Sequence, residues 1–291
     1  MNSKKLYTPL RYPGGKAKFA PFIANTMEVN GLAGGHYLEP YAGGAGVALE
    51  LLFHGHASHV HINDFDTALY DFWVSITQHS DAFLHLLADT PVTIDQWHYW
   101  RSVLRREVSV GQIERGFATL FMNRTNRSGI LKAGVIGGLK QSGDYKLDAR
   151  FKKDVLIARI EKIAAHADAI SIYNEDALAL LARCHQLLPN NSLVYLDPPY
   201  YIKGQGLYRN FYGHEDHQKI ASLLQDRKFE RPWVVSYDNV DEIKAMYKLS
   251  RSLAYGLNYT AQKRYIGSEI MFFSQDLRVP EEDIPSVSQT A

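Results

Sequence analysis

Asp197, Pro198, Pro199 and Tyr200 follow directly on the apolar run Leu193-Val194-Tyr195-Leu196. The run reads as a buried strand, and two consecutive prolines cannot continue a strand ladder. The strand must stop there, leaving a stiff corner at its carboxyl end, where open α/β sheets bind ligands. A carboxylate, a proline carbonyl and an aromatic face are presented together. That set suits gripping a planar amino group on a flat ring.

A second constellation is Glu39-Pro40-Tyr41-Ala42-Gly43-Gly44-Ala45-Gly46. A strand ends, small residues turn the chain, and a helix begins, so a ligand can approach the backbone closely. Asp64, twenty residues beyond Gly44, ends the next strand. An acidic residue there reaches ribose hydroxyls in nucleotide-binding α/β folds. The competing reading is a tight turn plus a helix-capping Asp64. The turn is neither a P-loop nor a clean G-x-G-x-x-G, and Glu39 would repel a pyrophosphate. A carboxylate at that place suits a cofactor carrying an ammonium and a ribose, such as S-adenosylmethionine.

Two weaker signals accompany these. Arg11-Tyr12-Pro13-Gly14-Gly15-Lys16 leads into a helix. Lys16 could pair with a carboxylate and Tyr12 could stack on a ring or sulfonium, or Lys16 could be a surface lysine at a helix start. Asp176 opens a helix after a third strand; it could cap that helix or accept from an adenine amino group.

The elements that must position these residues alternate. Strands are expected at Tyr37–Glu39, Ser58–Ile62, Ala169–Tyr173, Leu193–Asp197 and Trp233–Tyr237. Helices are expected at Gly46–Phe53, Thr67–Thr77, Glu175–Leu188 and Glu215–Leu224, and a closing hairpin at Leu253–Tyr259 with Ile270–Phe273. This predicts an α/β fold: a doubly wound, Rossmann-like sheet, mostly parallel with a late antiparallel hairpin. Residues 78–167 show helical patterning without a convincing buried strand and read as a mainly helical insertion. The expected division is 1–77 and 168–279 for one domain in two parts, 78–167 for the inserted domain, and 280–291 for a polar tail.

Net charge is only +1, but its distribution is uneven. Between Arg101 and Ala164 stand 14 basic and 6 acidic residues, leaving the rest of the chain at −7. A basic segment in an otherwise acidic chain suits phosphate contacts, although a solvated helical face has the same composition. The single cysteine, Cys184, excludes an internal disulfide and lies in an expected helix without the Pro-Cys nucleophile of cytosine-C5 methylation. His54, His56, His59 and His61 straddle a helix end and a strand without metal-ligand spacing, so no metal is expected. No apolar run has membrane-spanning length and the first residues lack a signal-peptide core, so a cytoplasmic protein is expected.

Taken in order, these motifs resemble the D12-class, Dam-like, alpha-group DNA adenine-N6 methyltransferases over roughly Thr8 to Ser274. Asp-Pro-Pro-Tyr alone is shared with some RNA methyltransferases; its combination with the N-terminal motif and this insertion point is far more specific. Two departures, Tyr12 for the usual tryptophan and Tyr41 for phenylalanine, keep an aromatic face. The resemblance implies methyl transfer from S-adenosylmethionine to N6 of a flipped adenine in double-stranded DNA. Tyr12, Lys16, Glu39, Pro40, Tyr41, Gly43, Gly46, Asp64 and Asp176 would surround the cofactor. Asp197 would lie between cofactor and base, with Pro198, Pro199 and Tyr200 completing the catalytic corner and Tyr201 or Tyr208 helping to wall the pocket.

The same resemblance makes the insertion a target-recognition domain. Asn123, Arg124, Asn126 and Arg127 would read base edges, since Asn and Arg make bidentate contacts to adenine and guanine. Lys132, Lys140 and Lys146 would lie against phosphates. It favours a monomer and leaves a cognate restriction endonuclease open as a second partner. Two other readings stay open: an RNA base methyltransferase acting on adenine N6 or guanine N2, and a non-enzymatic DNA-binding module.

Overall fold

The computed structural model describes residues 7–11, 15–202, 212–259 and 265–280, with backbone only at 257–259 and 265–267. Tyr12, Tyr208 and nearly all of the polar tail lie outside the described residues. Seven strands form one sheet: β1 (Gly35–Glu39), β2 (Ala57–Asn63), β3 (Ile170–Tyr173), β4 (Ser192–Leu196), β5 (Trp233–Asp238), β6 (Arg251–Tyr259) and β7 (Tyr265–Phe273). Their order is β3-β2-β1-β4-β5-β7-β6. The first five are parallel, and β7 runs antiparallel to both its neighbours. The mostly parallel Rossmann-like sheet with a late hairpin is therefore present.

Helices fill the connections. These are α1 (Ala20–Val29), α2 (Gly46–Phe53), α3 (Thr67–Gln78), α4 (Ser80–Asp89), α5 (Ile94–Leu104), α6 (Gln112–Thr125) and α7 (Lys153–Ala164), then α8 (Ala177–Ala182), α9 (Cys184–Leu187), α10 (His214–Leu224) and α11 (Asp241–Met246). One expectation is corrected. The helix expected over Glu175–Leu188 breaks at Arg183, whose guanidinium folds back to pair with Glu175 and lie over the Tyr173 ring.

β4 and β5 are buried along their whole length because both sheet faces are covered, which is why they read as unbroken apolar runs. Alternate residues enter opposite cores. Tyr37 and Leu193 join one with α1, α2 and α3, while Leu38 and Val194 join another with α8, α10 and α11. Between β2 and β3 the described chain is helical apart from one antiparallel bridge, Asn126 with Val135. The first core continues without a break into Trp97, Trp100, Phe117 and Phe121 of α5 and α6. Gly116 lets α6 close on α3: a Cβ there would stand 2.5 Å from Ser75 Oγ and 2.6 Å from the Asp71 carbonyl.

Candidate active site

The chain runs β1, β2, β3 to one side and then returns to place β4 and β5 on the other side of β1. The carboxyl ends of β1 and β4 thus flank the switch point at which such sheets hold ligands. Acidic residues collect along that edge: Glu39 ending β1, Asp64 after β2, Asp176 after β3, Asp197 after β4 and Asp238 ending β5.

At the β4 corner, Asp197 Oδ1 takes two partners: Lys16 Nζ at 3.0 Å and the Ser236 hydroxyl, which donates at 2.9 Å. Asp197 Oδ2 has no partner among the described residues, and the side chain is 24% exposed. Lys16 also donates to the Tyr200 hydroxyl at 2.9 Å and stands 3.3 Å from Glu269 on β7. Glu269 accepts from the hydroxyls of Tyr200 and Tyr255, each at 2.7 Å. Asp238 fixes the chain beyond the prolines, accepting from the backbone N–H of Tyr201 at 2.9 Å and of Ile202 at 3.0 Å. No donor among the described residues reaches the Pro198 carbonyl.

Electrostatics follow from this packing. Burial alone would lower the Lys16 pKa, but Asp197 and Glu269 outweigh it and hold the ammonium charged well above its ordinary range. Burial pushes Asp197 upward, with Lys16 pulling against it. One buried cation is thus shared between two buried carboxylates.

The glycine-rich turn shapes the other side of the cleft. Gly43 and Ala45 both have φ +47°, a left-handed conformation unusual for alanine and frequent at ligand clamps. Glu39 is buried and accepts from Ala48 N–H and the Tyr37 hydroxyl, each at 3.0 Å; desolvation pushes it up to about 8. Asp64 accepts from Gly43 N–H at 3.0 Å and from Asp66 N–H at 2.9 Å, and desolvation pushes it up to about 7. Asn63 ties the strand ends together by donating to the carbonyls of Pro40 and Glu175. Gly46 serves packing: a Cβ there would stand 3.0 Å from the Ala17 Cβ, so the segment after Lys16 closes on the start of α2.

Tyr41 donates to the Tyr212 hydroxyl at 3.1 Å, and Tyr212 feels the charges of Asp176 and Asp64. Tyr41, Asp64 and Asp176 are therefore grouped around Tyr212. Asp176 is exposed and caps α8 through the N–H groups of Leu178 and Ala179. Phe65, 58% exposed beside Asp64, is a flat apolar surface that sequence reasoning missed. Ser236 and Asp238 on β5 and Glu269 on β7, which reach the corner from later in the chain, were also missed. The apolar residue directly after Asp64 was the one available signal.

The Asn-Arg stretch requires a correction. Asn123 accepts from Arg11 N–H at 2.7 Å and donates to the carbonyls of Arg11 and Gly129, each at 2.8 Å. Asn126 accepts from Trp97 Nε1 at 2.7 Å and donates to the carbonyls of Ile130 and Leu131. Arg124 donates to the Pro9 carbonyl. All three are buried; Asn123 and Asn126 spend their hydrogen bonds bracing the loop and present no edge for a base, while Arg124 is held at the Pro9 carbonyl. Arg127, Lys132, Lys140 and Lys146 are exposed. Lys146 donates to the carbonyls of Gln141 and Gly143. Two of the four histidines weighed as metal ligands, His59 and His61, stack beside His36 on the sheet.

No helix among the described residues is long and apolar enough to cross a membrane. Comparison with curated proteins gives no match. A family model does match, over residues 12–264, which span the glycine-rich turn, the Asp-Pro-Pro-Tyr corner and the whole insertion. With that match and this geometry, the chain belongs to the D12 class N6 adenine-specific DNA methyltransferases.

Proposed function

We propose that the chain extrudes an adenine from double-stranded DNA and delivers its amino group to the corner formed by Asp197 and Pro198. The observation that carries this is the asymmetry of Asp197, with Oδ1 held by Lys16 and Ser236 while Oδ2 has no partner among the described residues. An adenine N6 is paired inside a duplex, so the base must leave the stack. Asp197 Oδ2 and the Pro198 carbonyl accept the two N6 hydrogens. Holding both draws the nitrogen toward sp³ geometry and frees its lone pair. Asp197 need not be a strong base, because the N6 proton becomes acidic only once the nitrogen has gained its new bond. Tyr200, anchored by Lys16 and Glu269, forms one wall of the base pocket, with Pro199 and Tyr201 beside it.

The cofactor residues present fit S-adenosylmethionine. Glu39 faces the need of an ammonium, Asp64 that of a ribose diol, and Asp176 with the exposed Phe65 ring that of an adenine. Lys16 pairs with Asp197 at the neighbouring corner, Tyr12 stands four residues before it in the sequence, Pro40, Tyr41 and Gly43 belong to the turn, and Gly46 sets its packing. When bound, the cofactor supplies an electrophilic methyl group. Residues 78–167 act as the target-recognition unit, with Arg127, Lys132, Lys140 and Lys146 on its exposed surface. A monomer and a cognate restriction endonuclease as second partner are carried over from the family resemblance alone.

Base extrusion is tested with 2-aminopurine placed at the mapped target adenine of a duplex. Its fluorescence should rise when the protein binds. Binding without any rise would contradict extrusion.

A further inference from the structure

Where the insertion meets the N-terminal segment, four arginines converge. Arg124 lies in the last turn of α6, Arg150 in the turn Leu147–Arg150 and Arg159 on α7, and Arg11 is near enough for its charge to act on Arg124 and Arg150. Arg124, Arg150 and Arg159 line an open pocket of about 170 Å³ together with Lys152 and Leu156. Among the described residues none of these five basic side chains forms an ion pair. Among the described residues Arg124 and Arg159 donate only to the backbone carbonyls of Pro9 and Thr8. Two guanidinium nitrogens, Arg11 Nη1 and Arg159 Nε, are buried without a hydrogen-bond partner among the described residues.

This arrangement is costly as it stands. Like charges are gathered in a partly desolvated place, and a buried charged donor without a partner forfeits its full hydration. Burial, then Arg159, Arg11 and Arg150, push the Arg124 guanidinium down to about 9, an uncommon strain on an arginine. The missing component is an anion. Guanidinium forks match the oxygens of a phosphate, and the pocket is several times the roughly 30 Å³ that a water occupies in the liquid.

We propose that this pocket grips one backbone phosphodiester of the DNA substrate. Arg150 and Lys152 hold it from the exposed side, Arg124 and Arg159 hold it from within, and Arg11 adds positive charge beside them. The inference rests on DNA being the substrate. It also gives the buried Asn-Arg stretch a use, because Asn123 locks Arg11 beside the pocket. Arg11 directly precedes the segment leading to Lys16, so a phosphate seated here fixes the strand relative to the catalytic corner.

The test uses the full chain and Arg150→Gln, an exposed position whose change leaves the braces from Arg124 and Arg159 intact. Binding is measured on a duplex and on versions with single neutral methylphosphonates along each strand. Arg150→Gln should weaken duplex binding about 3- to 10-fold, equally on target and non-target sequence. It should also flatten the log–log salt dependence by roughly 0.9. At one phosphate the methylphosphonate should weaken the wild-type protein but weaken Arg150→Gln much less. Equal losses in both proteins at every phosphate would overturn the proposal. So would a loss confined to inorganic-phosphate binding with duplex affinity unchanged, which would assign the pocket to free phosphate. A wild-type protein that neither binds nor methylates the parent duplex would instead refute the DNA substrate, and the pocket proposal with it.

Discussion

Lys16 Nζ lies 3.0 Å from Asp197 Oδ1, an ion pair between a residue near the start of the chain and the strand end that opens the Asp-Pro-Pro-Tyr corner. It fixes one oxygen of the carboxylate and opposes the burial that raises the Asp197 pKa. Lys16→Met should therefore raise the Asp197 pKa further. An activity needing ionised Asp197 would then fail at higher pH, moving the acid limb of the kcat/KM profile upward. A profile unmoved from that of the parent protein would show that Lys16 does not tune Asp197.

Asp197→Asn keeps an acceptor and the shape of the corner. Cofactor affinity should hold within about 3-fold while turnover falls about 100-fold or more, the scale of a lost transition-state contact. Single-turnover kinetics measure this directly. An Asn variant with parental turnover would remove Asp197 from the reaction.

Glu269 is a positioning residue: it steers Tyr200 and shares the Lys16 charge. Glu269→Gln should lower kcat about 10-fold with little change in KM for DNA, consistent with losing one charge-assisted contact. Loss of KM alone, or no loss at all, would contradict this role. For the same reason Tyr200→Phe should cost activity, because Lys16 and Glu269 both lose the hydroxyl.

Asn126→Ala strands Trp97 Nε1 and two backbone carbonyls in a buried place. Urea unfolding should show a loss of about 2–4 kcal/mol. Unchanged stability with a selective loss of DNA binding would restore the base-reading role for this residue.

His61 is buried against His36 and Tyr173, and burial followed by the neighbouring histidines lowers it to about 3. The unfolded chain binds this proton first, near pH 6.5. The stabilising effect of keeping His61 neutral is whole above that pH and is lost as the pH falls from there toward 3. Glu39 and Asp64, raised by burial, act in the opposite sense, so the readout is the difference between proteins. His61→Gln should show a shallower loss of stability over that range than the parent chain. Parallel curves would refute it.

Most of the sheet was legible because parallel strands covered on both faces read as apolar runs, and because prolines, glycines and acidic residues punctuate their ends. The corner at Asp197 and the turn at Glu39 were legible for the same reason. Glu269, Ser236 and Asp238 were not, since nothing local marks a carboxylate or hydroxyl that acts across strands far apart in sequence. Asn123 and Asn126 misled because the donor and acceptor pattern that reads a base edge also satisfies a buried loop backbone. Only the packing of α6, buried on nearly every side, distinguishes the two.

The most direct test is nucleoside mass spectrometry of unmethylated genomic DNA incubated with the protein and S-adenosylmethionine, beside an Asp197→Ala control. N6-methyladenine formed by the parent protein and absent with the variant is the predicted result. No methylated adenine, or equal methylation by both proteins, would contradict the assignment of Asp197 as the residue that presents the amino group.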